Sequence, residues 1–121
     1  MTDEEPVTEQ TSDAGYEEEF AYLLVMLRDE NVGKRWKAAE SLARTGDTRS
    51  VEPLIAALED EDWRVRQKAA WALGYIGDPR ALVPLRRAMM YESDSVRSII
   101  MEALDEIKRK MAGREPEPFR G

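Results

Sequence analysis

Aromatic rings among cations are the side chains of this sequence best suited to chemistry. Trp71 and Tyr75 lie four residues apart, about one helical turn, and Lys68 precedes Trp71 by three residues. Exposed aromatic side chains flanked by cations are typical of recognition sites, where they anchor a partner. The candidate binding residues predicted on this basis are Trp36, Lys37, Arg44, Arg64, Gln67, Lys68, Trp71 and Tyr75.

Two residue types that many catalytic sites require are missing from the sequence. The 121 residues include neither His nor Cys, which removes thiolate and His-ligated metal sites, Cys nucleophiles and Ser-His-Asp triads. Glu102 and Glu106 lie four residues apart, near Asp105, a pattern that fits a solvated helix face better than an acid–base pair. The sequence therefore predicts a protein that is not an enzyme and that uses no cofactor and no metal.

The elements that must position the candidate residues come from an internal repeat with a period of 31 residues. Pro53 and Pro84 are separated by this period, as are Gly46 and Gly77. Further aligned sets are Leu23, Leu54 and Leu85, and Leu42, Leu73 and Leu104. The sequence thus contains three ungapped copies, at about residues 20–50, 51–81 and 82–112.

Each copy is predicted to form two helices. In the second copy, the first helix has apolar residues at helical spacing, namely Val51, Leu54, Ile55 and Leu58. The second helix has the same pattern at Val65, Ala69, Leu73 and Ile76. Pro53 falls in a first turn, where a helix tolerates proline, while Asp62 can cap the second helix and Gly77 can end it. Three copies therefore predict six helices in three antiparallel pairs.

The run from Asp62 to Leu85 resembles the HEAT-like repeat of the phycobilisome-lyase type, in a short form. The resemblance implies an all-α solenoid of three helix pairs in a right-handed superhelical stack, with the second helix of each pair lining a concave face. Such repeats occur in adaptors as well as in chromophore lyases, hydroxylases and DNA glycosylases, so fold rather than activity is implied. Asp105 and Met101 replace small residues in the third copy, as fits a terminal capping unit.

Alignment of the copies predicts that the rings face water. Trp71 aligns with Glu40 and Glu102 of the sister copies, and Tyr75 likewise aligns with charged residues. Positions that the other copies fill with charge should point to solvent. Two alternatives remain open, because Trp36 and Trp71 would also suit packing between adjacent second helices or a homodimer contact.

The formal net charge of −7 is concentrated at the N terminus. Residues 1–19 hold eight acidic and no basic residues, which leaves 18 basic against 17 acidic residues in the remainder. The polar residues 1–14 and the Pro-containing residues 113–121 are predicted to be disordered tails around a repeat domain of residues 15–112. Neither a signal peptide nor the roughly 20 apolar residues that cross a membrane are recognised, so a cytoplasmic protein is expected.

A second set of charged residues shares one arrangement, an Arg at a fixed repeat position with an Asp six residues before it in the first two copies. These residues are Asp29, Arg35, Asp60, Arg66 and Arg97. The arrangement predicts a structural ladder of Asp–Arg pairs that ties the repeats together, and the third copy has Tyr91 in place of the aspartate. The cations then left around the rings are Lys37, Arg44, Arg64 and Lys68.

The leading hypothesis is a non-enzymatic interaction module that holds an acidic or mixed protein segment against its second helices, as a monomer or weak homodimer. Nucleic-acid binding is the alternative, because bases stack on Trp and Arg contacts phosphate, but the near-neutral repeats disfavour it. A subunit of a chromophore-lyase-like complex is a third hypothesis. The acidic tail of residues 1–14 either solubilises the chain or competes with acidic partners for the concave face.

Overall fold

The computed structural model describes the backbone of residues 4–114 and the side chains of residues 14–113. Its helices are α1 (Glu4–Met26), α2 (Val32–Thr45), α3 (Val51–Ala57), α4 (Trp63–Ile76), α5 (Leu82–Met89) and α6 (Asp94–Arg114). Short 3-10 turns precede α3 and α5, and residues 4–114 contain no strand. Consecutive helices pack as the pairs α1–α2, α3–α4 and α5–α6, which confirms the predicted all-α solenoid.

Polar side chains begin the second helices α2 and α4, and glycines end them. Asn31 accepts a hydrogen bond from the Lys34 amide, and Asp62 accepts one from the Arg64 amide. Each side chain thereby caps its helix, because the first backbone N–H groups of a helix have no acceptor within the helix. Gly46 and Gly77 follow α2 and α4 with φ angles of 69° and 80°, in the left-handed region that favours glycine. Local sequence therefore accounts for both ends of these helices.

The core runs through the stack along equivalent repeat positions. Fully buried leucines recur in first and second helices, at Leu42, Leu54, Leu73 and Leu85. The central helix, α4, packs against α2 on one side and α6 on the other. Gly74 allows close contact with α6, because a Cβ added there would lie 2.8 Å from the Ala103 Cα. The second helices α2, α4 and α6 consequently form one continuous row.

Both ends of the repeat domain differ from the sequence prediction. Helix α1 begins at Glu4 and continues unbroken into the first repeat, so the backbone of residues 4–14 is helical where a disordered tail is predicted. Glu is a good helix former, and negative charge near a helix N terminus is favourable. Helix α6 ends at Arg114, slightly beyond the predicted limit. The predicted disorder of residues 1–3 and 115–121 lies outside the described residues.

Acid is expected to weaken the helix caps because it protonates their carboxylates. Hydrogen bonds from the Arg64 side chain and amide lower the pKa of Asp62 to about 2, and hydrogen bonds from Arg49 strongly lower the pKa of Asp47. A carboxylate with a lower pKa in the folded chain stabilises fully above its unfolded pKa of about 3.9 and loses that stabilisation below it. The free energy of unfolding in urea should be level from about pH 8 to 5 and fall from about pH 4 to 2.

The variant Asp62→Asn tests this assignment. Asn is as good an N-cap as Asp but does not titrate, so the variant should lose less stability than the natural chain between about pH 4 and 2. Asp105→Asn, at an exposed position on α6, is the control and should follow the natural curve. An equally steep fall in Asp62→Asn would contradict the prediction.

Candidate binding surface on the second helices

Three aromatic rings lie on the row formed by α2, α4 and α6. Trp36 comes from α2, whereas Trp71 and Tyr75 come from successive turns of α4. The Trp71 and Tyr75 ring centroids are 5.2 Å apart, with the planes inclined by 39°. Tyr75 is 46 % exposed, while both Trp side chains are partly buried against the core. The two Trp rings therefore pack between helices and still keep part of their surface open.

Cations of the same chain connect these rings. Lys68 Nζ lies 5.2 Å from the Trp36 centroid and 5.0 Å from the Trp71 centroid, so it bridges α2 and α4. The guanidinium carbon of Arg44 is 5.9 Å from the Trp71 centroid. Each distance is within the roughly 6 Å over which a ring face attracts a cation. The rings and cations therefore belong to one site rather than three separate ones.

Glu40, which is missing from the predicted set, holds both cations in place. Its carboxylate accepts a hydrogen bond from Arg44 at 2.9 Å and lies 4.0 Å from Lys68 Nζ. The hydrogen bond from Arg44 and then the charge of Lys68 lower the pKa of Glu40, and the same hydrogen bond raises the pKa of Arg44. Two cations expected to be free are thus partly neutralised. We call the connected group the aromatic–cation cluster, formed by Trp36, Glu40, Arg44, Lys68, Trp71 and Tyr75.

Three other predicted residues lie outside the aromatic–cation cluster. Arg64 turns back to its helix cap, with Nε 3.0 Å and a terminal nitrogen 2.9 Å from the Asp62 carboxylate. Gln67 donates to the backbone oxygen of Ser95 at 3.4 Å and so joins α4 to α6. Lys37 is exposed and has no ion pair within residues 14–113. Of the four cations expected to be free, Lys37 is the one with neither a hydrogen bond nor an ion pair to a carboxylate in that range, although its charge helps to lower the pKa of Glu40.

The ladder arginines pair with the following repeat. Arg35 donates to the Asp60 carboxylate at 2.9 and 3.1 Å, and the bond raises the pKa of Arg35. It also donates to the backbone oxygens of Asp29 and Glu30. The Asp29 carboxylate, six residues before Arg35, instead accepts a hydrogen bond from the Asn31 amide. Each rung therefore joins the loop of one repeat to a carboxylate of the next.

The second rung uses a residue outside the predicted set. Arg66 Nε lies 2.7 Å from the Glu92 carboxylate, because Tyr91 holds the aspartate position and Glu92 follows it. Arg97, at the same position of the third copy, is exposed and among residues 14–113 reaches the Glu92 backbone oxygen at 3.5 Å. Within residues 14–113 the ladder thus has two rungs and an open end.

Lys110 is a further candidate that the repeat alignment missed. Its ammonium donates a hydrogen bond to the Tyr75 backbone oxygen, and Nζ lies 5.7 Å from the Tyr75 ring centroid. Helix α6 has 21 residues against 14 in α2 and in α4, so Lys110 lies on turns that the other second helices lack. The signal in the sequence is the helical spacing that continues at Ile107 and Met111.

The described part of the chain has neither a cluster of metal-ligating side chains nor a membrane-spanning helix. No cluster of three or more acidic residues there could hold a metal ion. None of the helices described combines the length and apolarity needed to cross a bilayer.

Comparison with known proteins agrees with this architecture. The family model for HEAT repeats matches residues 20–105, which is most of the chain and covers the first two copies and most of the third. No individual curated protein matches the chain. HEAT repeats commonly act as scaffolds for protein interaction. A repeated helix pair, two cross-repeat rungs and the family match lead to one conclusion: this chain belongs to the HEAT repeat family.

Proposed function

We propose that this protein is a non-enzymatic interaction module that holds a mixed-charge protein segment against α2, α4 and α6. The observation that carries the proposal is the aromatic–cation cluster, in which Lys68 joins the partly buried Trp rings of two repeats and Glu40 joins the cations Arg44 and Lys68. Tyr75 is about half exposed beside the ring of Trp71, so part of an aromatic surface is open to a partner. Such rings anchor a partner by burying apolar area, while nearby cations steer its approach.

The distribution of charge favours a mixed rather than a purely acidic segment. Lys37, Arg44 and Lys68 give the α2–α4 side a positive excess that Glu40 reduces. The α6 side carries Glu102 together with two further acidic residues of the same helix. A uniformly acidic segment would be attracted at one side and repelled at the other. A segment with acidic residues facing α2 and a basic residue facing α6 would be attracted at both sides.

The same charges disfavour the nucleic-acid hypothesis. Arg44 already donates to Glu40, and Arg64 already donates to Asp62, so each guanidinium would have to share or exchange a carboxylate to bind phosphate. The repeats are close to neutral, whereas nucleic-acid binding depends on a strongly basic patch. Three predictions from the sequence remain predictions. They are that the repeats are of the phycobilisome-lyase type, that the protein is located in the cytoplasm, and that it is a monomer or a weak homodimer.

A peptide-selection experiment tests the proposed function. We expect the full chain to enrich mixed-charge sequences from a displayed library of random peptides, and the double variant W36A/W71A to bind them about 30-fold more weakly, the effect of losing a recognition hot spot. Trp63→Ala is the matched control, because Trp63 is 48 % exposed at the start of α4 and lies outside the cluster. Its affinity should equal that of the natural chain.

The variants must remain folded for this comparison, since Trp36 and Trp71 are partly buried. Urea unfolding of each variant provides the check, and Lys68→Met removes the bridging ammonium while leaving both rings in place. We expect Lys68→Met to weaken peptide binding less than W36A/W71A does. Enrichment of no peptide, or equal affinity of W36A/W71A and the natural chain, would refute the proposed site.

A further inference from the structure

A groove of about 300 Å³ runs between α4 and α6, beside the aromatic–cation cluster. One wall is aromatic, from Trp71 and Tyr75, and the opposite wall carries Glu102 and Glu106, one helical turn apart. The remaining lining residues are Gly74, Ile99, Ala103 and Lys110. The groove exists because Gly74 and Ala103 bring the two helix backbones together below it. Rings facing carboxylates across a narrow space form an environment that suits a cation.

We propose that this groove binds the cationic side chain of a partner segment, with arginine preferred over lysine. The inference rests on the proposed function and names the chemistry of one residue in the bound segment. The guanidinium would stack on the Trp71 ring and donate to Glu102. Arginine is preferred because its planar group can stack and donate in several directions together, whereas an ammonium is a compact and strongly hydrated charge.

The chain contains an internal precedent for this arrangement one groove earlier. Between α2 and α4, the Arg44 guanidinium lies 5.9 Å from the Trp71 centroid and donates to the Glu40 carboxylate at 2.9 Å. The groove between α4 and α6 offers the Trp71 ring again, now with the Glu102 carboxylate on the neighbouring helix. A shift by one repeat places Trp71 and Tyr75 themselves at the positions of Glu40 and Arg44, so the two grooves share residue types rather than repeat positions. No arginine is among the described residues that line the groove between α4 and α6. A partner arginine would supply the missing group.

The two carboxylates of the groove differ in whether a cation of the same chain already pairs with them. Glu102 is exposed and has no ion pair within the described side chains. Glu106 accepts a hydrogen bond from Arg109 on the outer surface of α6. Because an exposed pair of this kind contributes little, a partner cation could also recruit Glu106. Glu102 is nevertheless the carboxylate that we expect to dominate.

Lys110 determines where in the groove the cation would lie. It closes the C-terminal end, with its ammonium on the Tyr75 backbone oxygen and 5.7 Å from the Tyr75 ring centroid. Like charges repel, so a second cation is disfavoured near Tyr75 and favoured toward Trp71 and Glu102. Lys110 also shows that the ring of Tyr75 accepts a cation in this geometry.

Nuclear magnetic resonance of the full ¹⁵N-labelled chain tests the inference with a small probe. N-acetyl-arginine amide is titrated against N-acetyl-citrulline amide, a neutral molecule of nearly the same shape. We expect the arginine probe to shift the Trp71 indole N–H in a saturable manner and to leave that of Trp63 unchanged, while citrulline shifts neither. The variant Glu102→Gln should weaken the arginine probe about fivefold, the loss of one exposed charge pair. Asp105→Asn, on the same helix but outside the groove, should leave its affinity unchanged.

Equal shifts with arginine and citrulline, or unchanged affinity in Glu102→Gln, would overturn the inference. Its failure is distinguishable from failure of the proposed function. If library peptides bind through Trp36 and Trp71 but tolerate citrulline at every arginine, the module stands and the groove assignment falls. If the arginine probe saturates at Trp71 but the library yields no peptide, the groove assignment stands and the proposed function falls.

Discussion

Replacing Arg35 with Ala should lower the free energy of unfolding by about 3 kcal/mol, the usual cost of leaving a buried charge unpaired. Only 10 % of the Arg35 side chain and 12 % of the Asp60 side chain are exposed. The substitution leaves the Asp60 carboxylate without its counter-charge, with the hydrogen bond from the Asp62 amide remaining. It also removes the donor to the backbone oxygens of Asp29 and Glu30. A loss of this size is a large part of the 5–15 kcal/mol that typically stabilises a domain.

The repeat provides matched comparisons for this prediction. Arg66→Ala should have a similarly large effect, because it strands Glu92, whose side chain is only 8 % exposed. Arg97→Ala, at the same repeat position but exposed at the open end of the ladder, should change the free energy by about 0.5 kcal/mol or less. Urea unfolding monitored by circular dichroism measures all three. Equal losses in the three variants would show that the ladder does not stabilise the stack through its cross-repeat pairs.

Gly74→Ala is expected to reverse the ordinary effect of replacing glycine in a helix. Ala normally stabilises a helix by up to about 1 kcal/mol relative to Gly. At Gly74, however, the new Cβ would lie 2.8 Å from the Ala103 Cα and 2.9 Å from its Cβ. Because one obstacle is backbone, α4 and α6 must separate, and such overpacking costs about 1–3 kcal/mol.

Gly15→Ala is the control for this substitution. Gly15 lies within α1 and has no atom near the position of an added Cβ, so its replacement should leave the free energy of unfolding unchanged or raise it by up to about 1 kcal/mol. The same urea experiment compares the two variants. A more stable Gly74→Ala protein would contradict the predicted close contact. Separation of α4 and α6 should also reshape the groove, so the arginine probe reports on the same variant.

The fold was predictable because its signals are local. Helical spacing of apolar residues, Asp62 at a helix start and Gly77 at a helix end each act within about one turn of the chain. The period of 31 residues then predicted that identical pairs stack. The start of α1 was missed because residues 4–14 have no apolar stripe, although their Glu residues favour a helix.

The candidate site was only partly predictable. Alignment of the copies brought Trp71 and Tyr75 to one face and predicted that the rings face water, with packing of the two Trp rings between helices as the alternative. The Trp rings are partly buried against the core. The predicted binding residues left out Glu40, although the alignment places it opposite Trp71, because a Glu at a surface position carries no signal until the cation that it pairs with is known. Lys110 was missed for another reason, since the longer α6 has no counterpart in the alignment.

By itself, the sequence determined the class of fold, the helix boundaries that caps and glycines encode, and the absence of His and Cys chemistry. Tertiary structure alone decided that Arg35 pairs with Asp60 rather than Asp29, that Glu40 holds Arg44 and Lys68, and that a groove opens opposite Glu102. The physical reason is the separation along the sequence over which each interaction acts. Caps and apolar spacing act between residues near in sequence, whereas these pairs join helices of different repeats, whose relative placement depends on how small residues such as Gly74 let them pack.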